Sequence, residues 1–113
     1  MDRDTAIIIN GDGMGRAETA LTHKLLTTYL GVLETSGQLP GAILFYGEGV
    51  KMAVTGSPVL EEMGALASQG VELVVCTTCL NHFGIFDELA VGTAGSMKDI
   101  VDRQAGATKV VTL

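Results

Sequence analysis

The sequence predicts an α/β protein built on an open, mostly parallel sheet, and three observations carry that expectation. Short runs of β-branched and aliphatic residues alternate with longer stretches of helical period. Three of the helical stretches stop at a glycine, Gly37, Gly70 and Gly106, and an apolar run follows each stop. The resulting order, β-α-β-α-β-α-β-α-β, suits a single layer of parallel strands with helices packed over it. At 113 residues the chain is read as one domain spanning residues 1–113.

Each element has its own reason. Thr5 to Ile9 (TAIII) is rich in β-branched residues and reads as a buried strand. A helix follows from Ala17 to Thr35, with Leu21, Leu25, Tyr29 and Leu33 at spacing four read as its core face. Gly37 stops it, and Pro40 prevents continuation. Ala42 to Tyr46 is the second strand, followed by a short helical turn around Val50 to Val54. Ser57-Pro58 starts the next helix, an N-cap residue ahead of a proline at the first helical position. Its face is Leu60, Met63, Leu66 and Ala67, and Val71 to Cys76 is the third strand. Thr77 or Thr78 caps a helix reaching about Phe86, and Leu89 to Val91 is a short fourth strand. Ser96 and Asp99 form a capping box for the last helix, whose apolar positions are Met97, Ile100 and Val101. Thr108 to Leu113 is the final strand.

Composition excludes several classes of function. Hydrophobic residues make up 47%, too many for a disordered chain. Two cysteines cannot staple a secreted scaffold, and a net charge of −6 has the wrong sign for neutralising nucleic-acid phosphates. The longest uncharged stretch, Leu73 to Phe86, is 14 residues and too short to cross a bilayer. The start, Met1-Asp2-Arg3-Asp4, does not read as a signal peptide, so a cytoplasmic protein with reduced thiols is expected. Only 18% of the residues are charged, against about 25% in a typical domain, and this predicts a surface partly covered by further copies of the chain.

Ligands of parallel sheets bind outside the carboxyl ends of the strands. The segments leaving those ends are Asn10 to Arg16, Gly47 to Lys51, Cys76 to Asn81 and Gly92 to Ser96. The sharpest feature among them is the pair Cys76 and Cys79. A thiol in the first turn of a helix faces unpaired N–H groups and the positive end of the helix dipole, which predicts a lowered pKa. Three chemistries fit the spacing: a persulfide carrier, a dithiol redox pair, or a metal site with His82 as third ligand. A buried, inert Cys76 is the plain alternative. No fourth ligand is evident, so no metal and no cofactor are expected. His82 lies one turn beyond Cys79 and can share its face, whereas His23, in the middle of the first helix, reads as a surface residue.

The loop Asn10-Gly11-Asp12-Gly13-Met14-Gly15-Arg16 contains G-x-G-x-G without the remaining phosphate-loop residues, and reads first as a tight turn with an aspartate cap. In this topology it neighbours the cysteines, so Asp12, Gly13 and Arg16 are candidates to line a pocket around the thiols. Gly47, in Gly47-Glu48-Gly49, is a candidate for another wall, with Thr77 and Thr78 between the cysteines. The remaining acids read as solvated helix faces and ends.

The stretch from Gly70 to Gly84, GVELVVCTTCLNHFG, resembles the core motif of the DsrE-like sulfurtransferase superfamily, and more narrowly the DsrE-like domain of YedF-type proteins linked to selenium metabolism. Asp12 to Arg16 resembles that group's first loop, and Ala90-Val91-Gly92 with Ser96-Met97 its closing segment. The resemblance implies a three-layer sandwich around a central five-stranded, mostly parallel sheet, often assembled into homo-oligomers. It implies a persulfide-type sulfur or selenium adduct on the reactive cysteine after the third strand, Cys76, with Cys79 as the additional cysteine. It also implies a separate TusA-like sulfur-carrier protein as partner. A different class of function, an oligomeric module binding a small anion or metabolite without catalysis, predicts ligand binding that survives loss of both cysteines.

Overall fold

Strand β1, Thr5–Ile9, is buried at all five positions, the mark of a strand covered on both faces and flanked on both sides. It pairs in parallel with β2, Ala42–Phe45, and with β5, Lys109–Thr112. Next to β2 lies β3, Glu72–Cys76, and beyond it β4, Thr93–Gly95. The sheet order is therefore β4-β3-β2-β1-β5, with every pairing parallel. This computed structural model describes all 113 residues. Successive strands step in one direction from β1 to β4, so right-handed crossovers put α1 (Thr19–Ser36), α2 (Leu60–Ser68) and α3 (Thr77–His82) on one face. The return to β5 carries α4, Met97–Gly106, to the other face. α1 packs on α2, and α4 lies against β3 and β4, which completes the three layers. No helix is long and apolar enough to cross a membrane.

Several local expectations hold. Gly37 closes α1 in the left-handed conformation, with φ 70°. Ser96 and Asp99 form a complete capping box at α4. Other expectations are corrected. The core face of α1 is Thr22, Leu26, Leu30 and Leu33, while Leu21 and Leu25 are 43% and 42% exposed. This helix carries apolar residues on more than one side, so period alone did not choose the face. The choice is made by the preceding loop: the Thr22 hydroxyl donates to the Asp12 carbonyl, and Met14 N–H donates to the Thr22 carbonyl.

The fourth strand is Thr93–Gly95, not Leu89 to Val91. Leu89 instead forms an antiparallel bridge with Val54, and the N–H groups of Ala90 and Val91 both donate to the Ala53 carbonyl. Gly92 (φ 77°) then brings the chain hard against Leu73, where an added Cβ would lie 2.8 Å from that residue's Cβ. Only past this turn does the chain join β3. The Ser57-Pro58 start is displaced as well. Ser57 accepts from Val59 N–H and donates to the Met52 carbonyl, and the regular helix begins at Leu60. In α4 only Ile100 is buried, and Met97 and Val101 are each 51% exposed, because no further helix covers that side.

The Arg103 guanidinium grips Glu72 through two hydrogen bonds, of 2.9 and 2.8 Å, and so ties α4 to the start of β3. The bond to Arg103 holds the Glu72 carboxyl below its ordinary pKa, against the opposing effect of burial. A depressed native pKa stabilises the fold above the unfolded value, and the gain is lost as pH falls through the native value. Glu72→Gln is expected to lose less of its urea midpoint than wild type between about pH 6 and about pH 3. Equal losses in the two proteins would contradict this role.

Candidate thiol site

The carboxyl ends of β1, β2 and β3 converge on the cysteine pair. β3 ends in Cys76, which is both the last strand residue and the N-cap of α3. Its side chain is fully buried among the core residues. Cys79 sits one turn on, half-buried, and its sulfur accepts a hydrogen bond from Gly47 N–H at 3.2 Å. Gly47 supplies that N–H because the chain turns sharply after β2, with φ 57° at this residue. A Cβ at Gly47 would lie 3.4 Å from the Asn10 carbonyl. The end of β1 thus backs the loop that holds Cys79.

The two thiols are neighbours, and this reverses the expected electrostatics. Burial pushes the Cys79 thiol above its ordinary pKa, and the neighbouring Cys76 thiol adds to the rise; Gly47 N–H opposes both. The lowered pKa expected from a helix start is not realised. α3 has only six residues, and Cys79 is packed against the core. The two cysteines differ in exposure: solvent reaches Cys79, while Cys76 is sealed.

The remaining candidates divide into those near the thiols and those turned elsewhere. Thr77 is half-buried and Thr78 exposed, and neither hydroxyl caps α3, whose N-cap is Cys76. The helix ends at His82, short of the expected Phe86, as the chain turns through Phe83 and Gly84 (φ 68°). His82 is exposed, its ring edge-on to Phe83 at 5.3 Å, and it makes no hydrogen bond to Cys79. Asp12 is committed to His23, with Oδ1 2.7 Å from Nε2, so His23 is a half-buried partner of the glycine loop, not a free surface residue. Gly13 is buried with φ 110°, and an added Cβ would meet the Thr22 backbone at 2.5 Å. Arg16 is exposed and forms no ion pair. Asp12 and Gly13 therefore belong to the docking of the loop on α1.

Two residues overlooked in the sequence stand beside the end of α3. Lys51, in the 3-10 helix Gly47–Ala53, is ion-paired with Glu48 and sits 4.9 Å over the Phe83 ring. Phe83 N–H in turn donates to the Cys79 carbonyl. The available signal was Lys51 standing four residues after Gly47, but nothing in the sequence pairs it with Phe83. No three His, Cys, Asp or Glu side chains gather into a group able to hold a metal ion.

Sheet and site together define a parallel α/β protein with a cysteine pair at the carboxyl edge of its third strand. The DsrE/DsrF-like family matches residues 4–113, and the chain belongs to that family. The fold is similar to that of the ychN protein of E. coli, with a TM-score of 0.73 at 20% identity and 100% of both chains covered. It is also similar to a protein of unknown function from Methanobacterium thermoautotrophicum, with a TM-score of 0.69 at 22% identity, covering 96% of this chain and 97% of that one. A third similar structure, a conserved protein of unknown function from Bacteroides thetaiotaomicron, has a TM-score of 0.64 at 16% identity, covering 97% and 95% of the respective chains. None of these likenesses bears on the narrower YedF-type resemblance. No curated protein matches the chain.

Proposed function

We propose that this protein is a sulfur carrier that takes up a sulfane sulfur atom on Cys79. The supporting observation is the pairing of one solvent-reachable thiol with one backbone N–H at the carboxyl edge of the sheet. In this reading the Cys79 thiolate attacks the outer sulfur of a perthiol donor, R–S–SH. The donor's S–S bond breaks, RS⁻ leaves with the electron pair, and Cys79 keeps a persulfide. Gly47 N–H then bonds to the persulfide, and the open edge leaves it within reach of an acceptor, such as the TusA-like carrier protein implied by the resemblance. Reduced protein treated with glutathione persulfide is expected to gain the mass of one sulfur in the earliest samples taken, and Cys79→Ser is expected to gain none at any time. An unmodified wild type, or an equally modified Cys79→Ser, would overturn the proposal. Replacing the donor by its selenium analogue distinguishes the two cargoes.

The low charge and the outer stripe of α1 support assembly with a second copy. Met14, Leu21, Leu25, Tyr29 and Val32 line an exposed groove of about 450 Å³. Burying such a face removes apolar surface from water at about 25 cal/mol per Å². Leu25→Glu is expected to shift the sedimenting species towards the monomer while leaving sulfur loading in place. An unchanged mass distribution would exclude this face.

A further inference from the structure

Cys76 is a nucleophile that carrying sulfur on Cys79 does not use. It is fully buried, so no donor can meet it, yet it lies one helical turn from the thiol that a donor can meet. We infer that Cys76 is the resolving thiol of the pair, and that the protein releases inorganic sulfide when no acceptor takes the sulfur first. The inference rests on the carrier reading and adds a second outcome to it.

The geometry sets up this step. Cys76 and Cys79 are the N-cap and the third residue of α3. Side chains three apart on a helix have Cβ atoms about 5–6 Å apart, and a disulfide closes at a Cβ separation of about 3.5–4.5 Å. Closure therefore needs a shift of about one or two ångströms. Cys79 is free to supply it, being the half-exposed member on a helix of six residues. In the step itself the Cys76 sulfur attacks the Cys79 sulfur, the bond from Cys79 to the outer sulfur breaks, and that sulfur leaves as HS⁻. Over both stages, R–S–SH and two cysteine thiols become R–SH, hydrogen sulfide and one Cys76–Cys79 disulfide. The sulfane sulfur is reduced by two electrons, and the thiol pair is oxidised by two. An external dithiol of low potential resets the pair by exchange.

Burial makes the arrangement directional. Cys76 cannot be loaded by a donor, cannot be capped by small electrophiles, and acts only on a sulfur already bound to Cys79. Carriage and release thus compete on one atom, and the outcome depends on whether an acceptor arrives before the pair closes.

The experiment uses the full chain, reduced, freed of reductant and treated with glutathione persulfide. Intact mass and free sulfide are followed over time. Wild type is expected to release one sulfide per protomer and to end lighter than the reduced protein by two hydrogens, with peptide mapping placing the disulfide at Cys76–Cys79. Cys76→Ala is expected to hold its adduct at least about tenfold longer and to release sulfide only at background. If that variant does not fold, Cys76→Ser replaces it, and the wild-type end mass is decisive alone. A wild-type adduct as durable as the variant's, or sulfide release without an internal disulfide, overturns the inference and leaves the carrier reading standing. No adduct and no disulfide in any of the proteins overturns both.

Discussion

Gly49→Ala is expected to cost about 3 kcal/mol or more of folding stability, measured as a drop in the urea midpoint. An added Cβ would lie 1.9 Å from the Ile9 carbonyl oxygen and 2.5 Å from its carbon. The obstacle is the backbone of β1, hydrogen-bonded on both sides, so no side chain can swing away. The Ile9 oxygen also accepts Tyr46 N–H, and its displacement pulls on the turn that delivers Gly47 N–H to Cys79. The variant is therefore expected to lose sulfur loading together with stability. Gly31→Ala and Gly64→Ala are the controls. Both glycines lie within helices with nothing within 4 Å of an added Cβ, so each should gain about 0.5–1 kcal/mol. A Gly49→Ala protein as stable as wild type would show that the approach of this segment to β1 is not tight.

Thiol labelling is expected to separate the two cysteines by a larger factor still. In native protein a small alkylating agent should modify Cys79 alone. Cys76 is reached only through unfolding, so it should react roughly a thousandfold or more slowly than in denatured chain, if stability is of the ordinary size of about 5 kcal/mol or more. Alkylation requires the thiolate. Burial and the Cys76 thiol hold the proton on Cys79, so its rate at neutral pH should fall below that of a free cysteine peptide and climb as pH passes the ordinary thiol range. Burial is the larger cause of the raised Cys79 pKa, but Cys76→Ala removes the neighbouring thiol that adds to it, and should move the inflection down. A raised native pKa stabilises the fold below the unfolded value and ceases to do so as pH rises through the native value. Stability should therefore decline on the alkaline side, less so in Cys79→Ala. Equal labelling of both cysteines in native protein would contradict the buried position of Cys76.

Local signals were sufficient where one residue or one short run decides the outcome. The β-branched run of β1, the apolar runs of β2 and β3, the Gly37 stop and the Ser96–Asp99 capping box are all readable without neighbours. So was the position of Cys76 and Cys79 at a strand end, since both belong to one continuous segment. The choice of β4 was not readable, because Leu89 to Val91 has as good a strand composition as Thr93–Gly95. It was decided by the Ala53 carbonyl and by the fit of Gly92 against Leu73. Nor was the buried face of α1, where apolar residues on several sides left the choice to the hydrogen bonds between Thr22 and the glycine loop.

The same division runs through the site. The sequence by itself determined that two thiols stand three residues apart where a strand becomes a helix, because strand and helix periodicity are local properties of the chain. Tertiary structure alone decided which thiol meets solvent, which N–H it receives, and in which direction its pKa moves. Those depend on Gly47 arriving from β2, 32 residues away in the chain, and on the core closing over Cys76. Burial and long-range hydrogen bonding are properties of the packed chain, and no local pattern encodes them.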